Sequence, residues 1–127
     1  MENNFLTFLK FDKEGLIPVI VEDEKGVVLM LAYMDKETLL ETLKTGKMHY
    51  YSRSRRKKWL KGEESGNFQF VKEFYIDCDG DALLFKVEQK GGACHTGYYS
   101  CFFRKFKEGD FIVIGDKIFE PDNVYKK

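Results

Sequence analysis

The sequence predicts an α+β fold, predominantly antiparallel β, built as twisted-sandwich or open-barrel-like sheets with one or two short helices. Strand-length runs of β-branched and aromatic residues recur through most of the 127 residues. Turn-forming clusters separate those runs, and one stretch alone has helical apolar spacing between capping residues. No internal repeat and no Ser/Gly/Pro linker interrupts the chain, so one domain over residues 1–127 is expected.

The elements follow in order. Residues 17–22 and 27–32 flank Asp23-Glu24-Lys25-Gly26 and read as a hairpin. Asp35 can cap a helix over Lys36–Thr45 whose Leu39, Leu40 and Leu43 form one apolar stripe, and Gly46 stands where a left-handed C-terminal cap belongs. Further strands are expected over residues 68–76, 82–89, 98–106 and 111–114, with a tight turn at Gly115-Asp116 into Lys117-Ile118-Phe119.

Composition narrows the function classes. Hydrophobic residues at 43% and aromatics at 16% exclude a disordered chain, and 21 basic against 21 acidic residues argue against an extended nucleic-acid footprint. The longest apolar run, residues 27–34, is far short of the roughly 17 residues a membrane-crossing helix needs. Residues 1–15 carry five charged side chains and no secretory core. Three cysteines, an odd number, suit a reducing cytoplasm in which thiols serve metals or chemistry.

Three clusters could carry chemistry. Asp77-Cys78-Asp79-Gly80-Asp81 lies between strand-like flanks; on an extended backbone Asp77, Asp79 and Asp81 share one face and Cys78 points to the other. At 4 Å a like-charge pair costs on the order of 1 to 4 kcal/mol, so a hard cation is a natural occupant and a solvated acidic turn the plain alternative. An EF-hand loop is excluded, because its obligatory glycine position falls on Ala82. Cys94 and His95 sit among Gly91, Gly92 and Gly97, with Cys101 beyond. With Cys78 they give three soft donors, the number a catalytic zinc site uses, although small buried cysteines or a Cys94–Cys101 redox pair would also account for them. Finally, Arg53, Arg55, Arg56, Lys57, Lys58 and Lys61 surround Trp59 without an acid. Such a run can grip phosphate while Trp59 stacks on a base, or can be a solvated basic loop.

Taken together, Met30-Leu31-Ala32-Tyr33-Met34, His49-Tyr50-Tyr51-Ser52-Arg53-Ser54-Arg55, Trp59, Lys61-Gly62-Glu63, Ser65-Gly66, the Asp77–Asp81 cluster, Ala93-Cys94-His95-Thr96-Gly97 and Ser100-Cys101-Phe102 closely resemble the phosphoribosyl-AMP cyclohydrolases of histidine biosynthesis. The likeness runs from about residue 15 to residue 104, with Tyr51 where the family usually has Trp and Lys58 where an aliphatic is common. The resemblance implies zinc ligands Cys78, Cys94 and Cys101, a magnesium site at Asp77, Asp79 and Asp81, and a homodimer whose zinc ligands come from both subunits. It implies hydrolysis of the N1–C6 bond of the adenine ring of phosphoribosyl-AMP by zinc-activated water. His95, with His49 second, is then the proton-moving residue. Ser52, Arg53, Ser54, Arg55, Trp59, Lys61 and Glu63 form the nucleotide pocket, and no fused pyrophosphohydrolase domain is expected. The competing classes are a zinc-stabilised RNA-binding module and a thiol redox protein.

Overall fold

The structure, a computed structural model, describes residues 4–124; residues 1–3 and 125–127, the outer ends of the two terminal segments, lie outside the described residues. A 3-10 turn at Asn4–Phe8 leads into β1 (Ile17–Asp23), β2 (Val28–Met34), α1 (Lys36–Thr45), β3 (His49–Ser52) and β4 (Lys57–Leu60). Then come β5 (Gln69–Ile76), β6 (Leu83–Gln89), β7 (Arg104–Lys107), β8 (Asp110–Val113) and the short α2 (Pro121–Val124). Four strands make the main sheet in the order β2-β1-β6-β5, and β3–β4 and β7–β8 are two-stranded ribbons. Every pairing is antiparallel except β1 with β6. The α+β, mainly antiparallel class therefore holds, and among the described residues no sheet closes into a barrel.

One face of the main sheet makes the core. Ile17, Val19 and Val21 of β1 alternate inward beside Leu83, Phe85 and Val87 of β6, and Leu29, Met34, Leu39, Met48 and Tyr50 close over them. The helix occupies the expected span. Asp35 accepts the Thr38 N–H at 2.8 Å while the Thr38 hydroxyl accepts the Asp35 N–H at 2.9 Å, and Gly46 ends the helix at φ 78°. No helix among the described residues is long and apolar enough to cross a membrane.

Four expectations need correction. Residues 77–82 are a turn joining β5 to β6, not extended strand, because Gly80 adopts φ 77° and the backbone closes from Asp77 N–H to the Ala82 carbonyl at 3.1 Å. Residues 98–103 are not strand either. Their polar groups go elsewhere: the Cys101 N–H donates to the Leu29 carbonyl at 2.7 Å and the Ser100 hydroxyl to the Val28 carbonyl at 2.7 Å, leaving only Arg104–Lys107 to pair with β8. The basic run is in turn not one loop. Tyr50 and Trp59 face each other across β3–β4 with ring centroids 5.0 Å apart, and this cross-strand pair holds a ribbon whose tip carries Arg53, Ser54, Arg55 and Arg56. At the C-terminal side the expected hairpin over residues 111–119 is replaced by β7–β8, and Ile118 N–H bonds the Gly97 carbonyl at 2.7 Å.

Candidate active site

The carboxylates converge by curling of the chain. One ligand oxygen from each of Asp77, Asp79 and Asp81 lies within 4.8 Å of the others, all three exposed. Asp77 Oδ1 accepts the N–H groups of Asp81 at 3.0 Å and Ala82 at 3.3 Å. Slight desolvation works against its charge, but hydrogen bonds from Asp81 and from those two amides hold Asp77 below the ordinary 3.8. Asp81 moves the other way, raised by hydrogen bonding to Asp79 and Asp77. Oxygen-only donors at this spacing, with charges that resist ionising together, match a hard divalent cation such as magnesium. Cys78 shares the turn and is exposed, so the strand alternation expected to set it on the face opposite the carboxylates does not apply.

The other two thiols lie on one segment bonded to β2 through the Leu29 carbonyl. The chain folds back so that Ala93 N–H bonds the Tyr99 carbonyl at 2.9 Å and Cys94 N–H the Tyr98 carbonyl at 3.1 Å, which brings the Cys94 and Cys101 thiols near enough for the first to influence the ionisation of the second. Cys94 is buried, with Sγ 2.9 Å from Thr96 Oγ1. Cys101 is exposed as a residue, yet crowding of its thiol and the nearby Cys94 push it up to about 12, against the pull of Lys61. Lys61 is only 4% exposed, and burial lowers its pKa while both thiols favour its charge. Lys61 is thus the cation that opposes, without overcoming, the burial and mutual repulsion that keep Cys101 protonated. Cys78 does not join the pair: among the described residues the only cluster of three or more ligating side chains is the aspartate one. Within one chain the three thiols that the resemblance makes zinc ligands are thus split into a pair and a single.

A cavity of about 480 Å³ is lined by Ala32, Tyr33, Tyr51, Ser52, Arg53, Ser54 and Trp59. The Arg53 guanidinium lies 4.3 Å from the Tyr33 ring centroid, the Ser52 and Ser54 hydroxyls are 3.5 Å apart, and Ser52 Oγ accepts the Arg55 N–H at 3.2 Å. Aromatic faces beside cationic and hydroxyl donors suit a nucleotide. The structure thus gathers Ser52, Arg53, Ser54 and Trp59 of the expected pocket in one place. Arg55 and Glu63 stand exposed outside its wall, and Lys61 is buried outside it. Tyr33 and Tyr51 were within reach of sequence reasoning, since both lie in quoted motifs, but no spacing rule singles them out. His95 is exposed on the turn after Cys94. His49 Nδ1 lies 2.8 Å from the Lys47 carbonyl, which can only accept, so Nδ1 carries the proton and Nε2 is left as the acceptor.

Comparison with known proteins gives these three groups a common context. The family model described as phosphoribosyl-AMP cyclohydrolase matches residues 30–103, a span that includes the cavity wall, the carboxylate turn and the thiol pair. A phosphoribosyl-AMP cyclohydrolase of Chlorobium phaeobacteroides is 55% identical over 129 residues, covering 100% of this chain and 94% of its own length. One from Salinibacter ruber is 53% identical over 127 residues, 99% of this chain and 100% of its own. The histidine biosynthesis bifunctional protein HisIE of Thermoanaerobacter pseudethanolicus is 55% identical over 124 residues, 97% of this chain and 57% of its own. With a family model over more than half the chain and such identity along its whole length, the chain belongs to the phosphoribosyl-AMP cyclohydrolase family.

Proposed function

We propose that this chain hydrolyses the N1–C6 bond of the adenine ring of phosphoribosyl-AMP, the ring-opening step of histidine biosynthesis, as a cytoplasmic homodimer holding zinc and magnesium. Family membership carries the reading, and the split of the thiols is the geometric observation that supports it. Cys94 and Cys101 supply two soft donors and Cys78 stands apart. A three-thiolate zinc site then needs Cys78 of a second copy. Exposed Phe106, Phe111, Ile112, Val113 and Ile114 on and beside the β7–β8 ribbon give the chain apolar surface to cover in such a dimer.

N1 ribosylation makes C6 of the purine electrophilic. Bound at the thiols, zinc would supply Lewis acidity that lowers the pKa of water toward about 7, and magnesium at the carboxylates would supply charge for a phosphate. The chain's own residues do the rest. Tyr33, Tyr51 and Trp59 offer ring faces in the cavity, and Arg53, Ser52 and Ser54 grip phosphate. Lys61 offsets the negative charge that three thiolates concentrate, which would otherwise weaken acidification of the water. His95, beside Cys94, takes a proton as the water oxygen bonds to C6 and returns one to N1 as the N1–C6 bond breaks. His49, with Nε2 as acceptor, is the second group able to do this.

A spectrophotometric ring-opening assay before and after chelation tests the reading: turnover that chelation abolishes and zinc restores supports it, and no turnover with phosphoribosyl-AMP refutes it. His95→Gln should cut turnover with zinc content unchanged, and normal turnover would remove His95 from the proton path. The proximity of Cys94 and Cys101 favours one second reading, a thiol redox pair. That reading requires a reversible disulfide and makes Cys78 dispensable.

A further inference from the structure

Asp23 ends β1 and is 7% exposed, an uncommon place for a carboxylate. Its Oδ1 accepts the N–H groups of Lys25 and Val27, each at 2.9 Å, which locks it into the β1–β2 turn. Oδ2 faces away from the turn and accepts the Tyr99 hydroxyl at 2.6 Å, across 76 residues of sequence. Burial works against the Asp23 charge, but the Tyr99 hydroxyl and the turn amides outweigh it and keep it ionised.

Tyr99 lies between Cys94 and Cys101, and its backbone is part of what sets their separation. Its carbonyl accepts the Ala93 N–H at 2.9 Å, next to Cys94, while Ser100 and Cys101 are pinned to Val28 and Leu29 at 2.7 Å each. The backbone bonds hold the segment's two arms to each other and to β2. Tyr99–Asp23 is a charge-assisted bond from this segment's middle to a fixed point on the turn, and such bonds are about twice as strong as neutral ones. Removing the hydroxyl leaves a buried carboxylate oxygen without that donor, so the turn and the thiol segment must both readjust.

We propose that Tyr99 and Asp23 are positioning residues: a strut from the β1–β2 turn that fixes the separation of the Cys94 and Cys101 thiols for metal binding. The inference rests on the reading of that pair as zinc ligands and adds to it two residues outside the donor set.

The test is Tyr99→Phe in the full chain, with zinc affinity measured by chelator competition and, independently, the alkylation rate of Cys94 in metal-free protein. Zinc affinity should fall about tenfold, the lower end for loss of a supporting hydrogen bond around a metal site, and Cys94 should label several times faster. Tyr99→Arg, a donor of comparable reach, should restore both. Tyr75→Phe, which breaks the Tyr75–Glu73 bond on the main sheet, should alter neither. A Tyr99→Phe protein that melts earlier but binds zinc and labels at Cys94 as the parent does would overturn the strut as a positioning device. If instead the parent takes up no zinc, or Cys94→Ser and Cys101→Ser keep it, the zinc reading fails, and the Cys94 labelling rate alone decides: faster sustains the strut, unchanged overturns it.

Discussion

Gly80 couples the N-terminal segment to the carboxylate turn, and its replacement by alanine should be far more costly than the same change at Gly46. Both glycines sit in the left-handed region, at φ 77° and 78°, so the backbone strain of about 1–2 kcal/mol that a side chain incurs there is common to the two. Their surroundings differ. A Cβ on Gly46 meets nothing within 4 Å, whereas one on Gly80 would stand 2.2 Å from the Phe8 carbonyl oxygen. That neighbour is backbone and has no rotamer to escape into, so the chain around Phe8 must move by about an ångström to reach ordinary contact. The displacement also takes the acceptor from Lys10 N–H, which bonds the Gly80 carbonyl at 2.7 Å. Overpacking plus one lost hydrogen bond makes Gly80→Ala worse than Gly46→Ala by about 1–3 kcal/mol. Urea unfolding at matched protein concentration reads the difference as a shift in midpoint with unchanged slope. Equal destabilisation by the two variants would show that the N-terminal segment does not brace the turn.

Two further outcomes are expected. Asp23 is held below its ordinary 3.8, so its contribution to stability is present above that pH and drains away as pH falls toward the lower folded-state value. Asp23→Asn should therefore lower stability by about 1–3 kcal/mol near neutrality and flatten the acid limb of the profile below about pH 4; parallel profiles for parent and variant would contradict it. Asp79→Ala should raise KM about tenfold or more while zinc content stays constant, if the carboxylate turn anchors a substrate phosphate through its cation. Loss of the folded dimer instead would assign the turn a structural role.

What could be read from sequence follows how local the determining forces are. The helix was legible to its ends because Asp35, Thr38 and Gly46 act within one turn of the positions they fix. The β1–β2 hairpin was legible from Asp23 and Gly26 between aliphatic runs. By contrast, the extended reading of residues 77–81 failed because the left-handed Gly80 and the closing bonds to Lys10 and Ala82 outweigh strand-like flanks. Residues 98–103 have strand composition, but their hydrogen bonds go to the Val28 and Leu29 carbonyls, a choice made by tertiary placement. The β3–β4 ribbon was hidden under its five cations, since the Tyr50–Trp59 pair that holds it depends on register. At the site, the donor types were legible and their grouping was not: Lys61 reads as one more surface cation until the fold buries it within the field of two thiols.

The central claim is that three thiols from two chains make one centre, and subunit complementation tests it most directly. Cys78→Ser and Cys101→Ser should each be inactive and zinc-poor alone. Refolded together in equal amounts, they should regain about a quarter of parental turnover, because half the dimers are mixed and each mixed dimer holds one intact site of two. Absence of recovery in demonstrably mixed dimers, or full activity in either variant alone, would contradict the account.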